Sequence, residues 1–219
     1  MPPLLFDALA ACPTTRTWPT VTPATGQRRR SGLRADKPDL IGARDRALLP
    51  VGFVGALRRR ELTALETDDV AEHPSGLVLS LPRLKTNQTG EHAELVVLPR
   101  TGNPDRYPDL ALQRWLELAG LTEGPVFRGV TKADRASARY LHPESVTTLV
   151  KGALARTGAP TTGHSGHFLR AGFVTYAHLR GSSDRAFAHQ TWHRSMASLG
   201  GYVRVPHAWT DNAATSSSL

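Results

Sequence analysis

The sequence predicts a mainly α-helical fold carrying a small antiparallel β-sheet, and three observations predict it. Segments with apolar residues at helical spacing recur from about residue 41 onward, and several of them run up to a glycine: Gly120, Gly158 and Gly181. Two short apolar runs, Leu77-Val78-Leu79-Ser80-Leu81 and Leu95-Val96-Val97-Leu98, read as strands, with Thr89-Gly90 in the polar connection between them. Before about residue 41 neither period is sustained.

Taken in order, residues 1–40 are expected to be irregular or disordered. Pro2, Pro3, Pro13, Pro19 and Pro23 are spread among threonines and alanines, and a basic linker follows, Arg28-Arg29-Arg30 with Arg34 and Lys37. That basic run is either a solvated linker or an arm contacting phosphates, and its residues alone leave both open. One domain is expected over residues 41–212. Arg44 to Val54 is apolar at helical spacing, with Pro50 as an internal disturbance. Gly55 breaks the run and Leu57 to Leu65 resumes it. After the two strands come helices over Asp109 to Leu118, Pro143 to Thr157 (proline in the first turn) and His167 to Arg180. A short helix over Asp184 to Thr191 and a last one over Met196 to Val203, weakened by Gly200 and Gly201, complete the domain. Residues 213–219 form a small, polar, flexible tail.

A chain of 219 residues with 40% hydrophobic content can bury one medium core. Its net charge of +8 and isoelectric point near 10.4 point to a polyanionic partner, with nucleic acid foremost. Cys12 is the single cysteine, which rules out an intramolecular disulfide and a cysteine-rich zinc site. No apolar run has the length of a membrane span, and the first residues lack a signal-peptide layout. The expectation is a cytoplasmic protein with no membrane partner.

Four segments carry residues suited to chemistry on an anion. In Gly166-His167-Phe168-Leu169-Arg170, the histidine and arginine are three apart and share a helix face, and an arginine fork can hold two phosphate oxygens. His193-Arg194-Ser195 precedes Gly201-Tyr202-Val203-Arg204. In Gly55-Ala56-Leu57-Arg58-Arg59-Arg60-Glu61-Leu62, successive side chains on a helix point about 100° apart, so the three arginines cannot all face one site. Glu61, three residues after Arg58, can orient that guanidinium. Arg83-Leu84-Lys85-Thr86-Asn87-Gln88 lies between the strands and puts a lysine on a hairpin tip. Each segment alone has an ordinary explanation: a basic surface helix, a half-buried tyrosine, a lysine in water.

The order and spacing of the four are less ordinary. A first arginine in G-x-L-R-x-x-E-L, a hairpin lysine, H-x-x-R, a second histidine and a tyrosine near the end together resemble the tyrosine recombinases of the phage-integrase family. The likeness runs over roughly Ala43 to Asn212. The resemblance implies that fold, site-specific DNA recombination through a 3′-phosphotyrosine, and a role for each residue. Tyr202 would attack the scissile phosphate, Arg58 and Arg170 would bind its non-bridging oxygens, and His167 would assist proton transfer. His193 would donate a hydrogen bond to the phosphate and Lys85 would protonate the departing 5′ oxygen. Arg28, Arg29, Arg30, Arg83 and Arg194 are the expected DNA-binding residues. Double-stranded DNA is the expected partner, held by a homotetramer, with no metal and no other cofactor.

The chemistry is consistent with those residue types. Two guanidinium groups offset the charge that repels a nucleophile from a phosphodiester. A tyrosine hydroxyl with an ordinary pKa of about 10 needs neighbouring cations or a base to react at neutral pH. The leaving alkoxide needs a general acid. The phosphotyrosine conserves the energy of the broken bond, so ligation needs no ATP. Two features depart from the family pattern: Trp192 replaces the glycine usual before the second histidine, and Gly200-Gly201 loosens the approach to Tyr202. The family's N-terminal helical DNA-clamping domain is also not visible in the first forty residues. The alternative expectation is therefore a truncated, decayed integrase that only binds DNA.

Overall fold

Helix α1 (Leu40–Val54) is the hub of the structure, a computed structural model that describes residues 7, 12, 38–81, 94–100, 107–162 and 168–182. Asp39 caps its start, the carboxylate accepting from the Ile41 N–H at 3.1 Å. Leu40, Gly42, Ala43, Asp45 and the whole stretch from Ala47 to Phe53 are buried, so the helix is covered on nearly every side. Pro50 lies inside it without ending it. Helix α2 (Arg59–Ala64) follows after a sharp turn. Gly52 lets the next layers come close: a Cβ there would lie 2.7 Å from Leu169 Cδ1 and 2.9 Å from Leu62 Cδ2.

A 3-10 turn (Thr67–Asp69) leads into a three-stranded antiparallel sheet, β1 (Val70–His73), β2 (Gly76–Leu81) and β3 (Glu94–Pro99), in the order β1-β2-β3. Leu77, Leu79, Leu81, Val96 and Leu98 form its buried face, while Leu95 and Val97 look outward. Helix α3 (Pro108–Ala119) packs along α1. Pro108 starts it and Gly120, left-handed at φ 63°, ends it. Its Trp115 is fully buried and donates from Nε1 to the Val126 carbonyl at 2.8 Å, satisfying the indole inside the core. A small hairpin, β4 (Arg128–Val130) with β5 (Ala136–Tyr140), precedes helix α4 (Pro143–Arg156). Helix α5 (Phe168–Leu179) returns to α1, burying Leu169, Arg170, Gly172, Val174 and Ala177.

The expected helices over 109–118, 143–157 and 167–180 and both expected strands are present with boundaries shifted by one or two residues. The helix expected from Leu57 starts at Arg59 instead, because Leu57 and Arg58 form the link out of α1. Strands β1, β4 and β5 add to the expectation. The helices expected over 184–191 and 196–203 lie outside the described residues, as does the connection from 82 to 93.

Cys12 is buried against the hub. Its carbonyl accepts from Arg46 Nε and Nη2 at 3.0 and 2.8 Å, and its thiol lies 3.3 Å from Arg156 Nη2. Burial pushes the thiol above its ordinary pKa, against the opposing pull of Arg156.

Candidate active site

The C-terminus of α1 determines where two arginines go. Gly55 keeps right-handed backbone angles, and Ala56 then turns left-handed at φ 48°. The Ala56 N–H donates to the Phe53 carbonyl and the Leu57 N–H to the Gly52 carbonyl, both at 3.0 Å. These are the two bonds of a Schellman turn, whose left-handed position is usually glycine. Here the glycine sits one residue earlier, where a Cβ would lie 2.7 Å from the Val51 carbonyl oxygen and 3.0 Å from Leu57 Cγ. Alanine therefore takes the left-handed position, at a cost of about 1 kcal/mol.

The chain leaves this turn extended at Arg58 (φ −72°, ψ 149°), which caps α2. Glu61 binds Arg58 twice. One carboxylate oxygen accepts from the Arg58 backbone N–H at 2.7 Å, the other from its guanidinium Nη1 at 2.5 Å. The Arg58 side chain remains 27% exposed over a Glu61 side chain that is only 6% exposed. The guanidinium is thus held from below and open from above.

Arg59 points elsewhere, to Glu144 in the first turn of α4 at 2.8 Å. Arg60 is exposed and lines a cavity of about 610 Å³ shared with Glu61, Glu66, Asp69, Leu81 and Tyr140. The Tyr140 hydroxyl donates to the Glu66 carboxylate on its rim. The three consecutive arginines therefore take three directions.

Arg170 comes from α5 and is 1% exposed. Burying a guanidinium costs several kcal/mol unless it is hydrogen-bonded. Its Nη1 donates to the Ala56 carbonyl at 2.9 Å, across 114 residues of chain. One turn thus receives Arg170 on a carbonyl and launches Arg58 two residues later. Guanidinium groups are the side chains best suited to hold an oxyanion, and this turn has two attached to it.

Of the residues named from sequence, Arg58 and Arg170 are brought to this turn. Lys85, His167, His193 and Tyr202 lie outside the described residues, as do Arg28, Arg29, Arg30, Arg83, Arg194 and Trp192. Sequence reading missed Ala56. Its only signal was a Gly-Ala pair closing an apolar helix just before Leu57-Arg58. Among the described residues no group of three or more His, Cys, Asp or Glu is placed to hold a metal ion, and no helix is long and apolar enough to cross a membrane.

No family profile matches the chain. A curated protein of Selenomonas ruminantium, an integrase/recombinase XerD homologue, is 32% identical over 178 residues, which is 81% of this chain and 52% of that protein. The chain thus spans about half the length of this relative. Among solved structures, the XerH site-specific recombinase bound to palindromic difH substrate in a post-cleavage complex superposes with a TM-score of 0.67 at 14% identity. That match covers 99% of this chain and 51% of XerH. The XerA recombinase superposes with a TM-score of 0.57 at 17% identity, over 85% of this chain and 66% of XerA. These structural likenesses carry the fold, and the curated relative carries the sequence kinship. The chain is thus similar in sequence to an integrase/recombinase, and the body it forms has the catalytic-domain fold of the tyrosine recombinases.

Proposed function

We propose that this chain cleaves and rejoins DNA strands in site-specific recombination through a 3′-phosphotyrosine formed on Tyr202. The observation that carries the proposal is the turn at Ala56, which holds Arg170 and launches Arg58. In this reading the two guanidinium groups take the non-bridging oxygens of the scissile phosphate. Arg58 offers the exposed face left open by Glu61, and Arg170 offers whichever of its N–H groups the phosphate can reach. The Tyr202 oxygen attacks phosphorus, its proton passing with the help of His167. The bond from phosphorus to the 5′ oxygen breaks, and Lys85 supplies the proton to that oxygen. His193 donates to the phosphate. Attack by a 5′ hydroxyl reverses the step and releases Tyr202. Double-stranded DNA is the substrate, gripped further by Arg28, Arg29, Arg30, Arg83 and Arg194, and four copies acting on two duplexes form the working assembly.

A nicked suicide duplex made from DNA flanking the gene tests the proposal. Wild-type protein should form a protein–DNA band that survives denaturing gel conditions, and Tyr202→Phe should form none. If wild type gives no such band but retains the same DNA at low salt, Trp192 beside His193 favours the second reading, a recombinase-like module that only binds DNA. An equal band from wild type and Tyr202→Phe would rule out this nucleophile.

A further inference from the structure

We infer that Ala56 is a positioning residue, whose left-handed backbone aims its carbonyl at the buried Arg170 guanidinium and so fixes Arg170 relative to Arg58. Its consequence for rate rests on the proposed phosphodiester chemistry, while its geometry stands without it.

The Ala56 carbonyl and the Leu57 N–H belong to the same rigid, planar unit. The N–H end is bound to helix α1, donating to Gly52 at 3.0 Å, and the carbonyl end is bound to helix α5, accepting from Arg170 at 2.9 Å. Rotating that plane breaks both bonds together. The positive φ of Ala56, 48°, gives the plane this orientation, and Ala56 itself is fully buried, so its methyl is gripped by the core. An alanine in a left-handed position is a strained choice, and strain of this kind persists where surrounding contacts over-determine it. Glycine at the same position would keep the angle without the strain. Because Arg58 is two residues further along the same turn, a shift of the plane moves both cations relative to each other.

Two substitutions test the backbone angle. Ala56→Gly permits positive φ, whereas Ala56→Val opposes it, since a β-branched residue avoids the left-handed region. The first readout is hydrogen exchange of the Arg170 guanidinium in protein labelled with 15N-arginine, its signal identified by loss in Arg170→Lys. The second is the rate of covalent-complex formation on the suicide duplex at saturating DNA, measured beside Kd. Wild type and Ala56→Gly should show a slowly exchanging Arg170 guanidinium, with Ala56→Gly cleaving within about threefold of wild type. Ala56→Val should lose that protection and cleave roughly tenfold to a hundredfold more slowly at saturating DNA, with Kd nearly unchanged.

Ala56→Val with wild-type protection, or with lost protection but wild-type cleavage, overturns the inference. If Ala56→Val does not fold, wild type alone decides, because an Arg170 guanidinium exchanging as fast as an exposed arginine removes the anchor. If wild type forms no covalent complex, the proposed function fails while the guanidinium measurement still settles the anchor.

Discussion

Arg58 and Arg170 meet the same turn but are held in different ways. Arg58 is tied to a carboxylate three residues along its own short helix, with a quarter of its side chain open to solvent. Arg170 is tied to a backbone carbonyl 114 residues away and is buried. The first arrangement is local, and it forms wherever Arg58 caps the helix that carries Glu61. The second exists only when α1 and α5 are packed against each other. The molecule thus has one cation whose position depends on a helix cap and one whose position reports on the whole fold.

The largest effect should come from removing the buried partner. Arg170→Met leaves the Ala56 carbonyl buried without its guanidinium donor, and the thinner side chain fills the space poorly. The expected loss is about 2–4 kcal/mol of unfolding free energy, read from urea denaturation. The corresponding Arg58→Met change should cost less than Arg170→Met, because the Glu61 carboxylate keeps the Arg58 backbone N–H as a donor and the position admits water. Equal losses at the two positions would erase the distinction between them.

Gly52→Ala attacks the packing on which Arg170 depends while leaving both arginines in place. The added Cβ would meet Leu169 Cδ1 at 2.7 Å and Leu62 Cδ2 at 2.9 Å, so α5 and α2 must give way. Leu169 is the residue next to Arg170, so the displacement reaches the guanidinium directly. We expect a loss of about 1–3 kcal/mol and a faster-exchanging Arg170 guanidinium. If stability falls and the guanidinium stays protected, the anchor is more local than the packing suggests.

The same contrast separates what could be read from the sequence from what could not. Helices α3 and α4 are marked at both ends by local chemistry, with Pro108 and Pro143 at their starts and Gly120 and Gly158 just beyond their ends. The Arg58–Glu61 pairing is likewise local, a spacing of three that a reader can see. Strand β1 was invisible because Val70-Ala71-Glu72-His73 has no apolar alternation. Its three last residues are exposed, and it is a strand only because the Pro74-Ser75 turn folds it onto β2. The β4–β5 hairpin is short and largely half-exposed for the same reason. Ala56 was missed because nothing in a sequence marks an alanine as left-handed, and its partner lies more than a hundred residues downstream. The roles assigned to Lys85, His167, His193 and Tyr202 came from motif order, and those residues are outside the described part of the chain.

Glu61→Ala tests the local clamp. It removes the acceptor for the Arg58 backbone N–H at the start of α2 and frees the guanidinium. A lost cap of this kind costs about 0.5–2 kcal/mol. Exchange at Arg170 should not change, since its acceptor is the Ala56 carbonyl, while Glu61 binds Arg58. Covalent-complex formation should slow through Arg58 alone, and adding Glu61→Ala to Arg58→Ala should slow it little further. Additive losses would show that Glu61 acts on something besides Arg58.

The smallest effect belongs to the pair that joins α2 to α4. Arg59 and Glu144 meet at 2.8 Å, with side chains 30% and 62% exposed. Exposed pairs of this kind contribute about 0.2–1 kcal/mol. Glu144→Gln keeps a hydrogen-bonding side chain at the first turn of α4 and removes one negative charge beside Arg59. Stability should change by less than about 0.5 kcal/mol, and the difference should vanish in 1 M salt, where the screening length is about 3 Å. If phosphates approach the start of α2 as proposed, the freed Arg59 should tighten DNA binding about twofold at low salt, measured by fluorescence anisotropy. An unchanged Kd would place Arg59 away from the DNA. That outcome would remove Arg59 and keep Arg58, with the Glu61 carboxylate beneath it, as the arginine proposed for the phosphate.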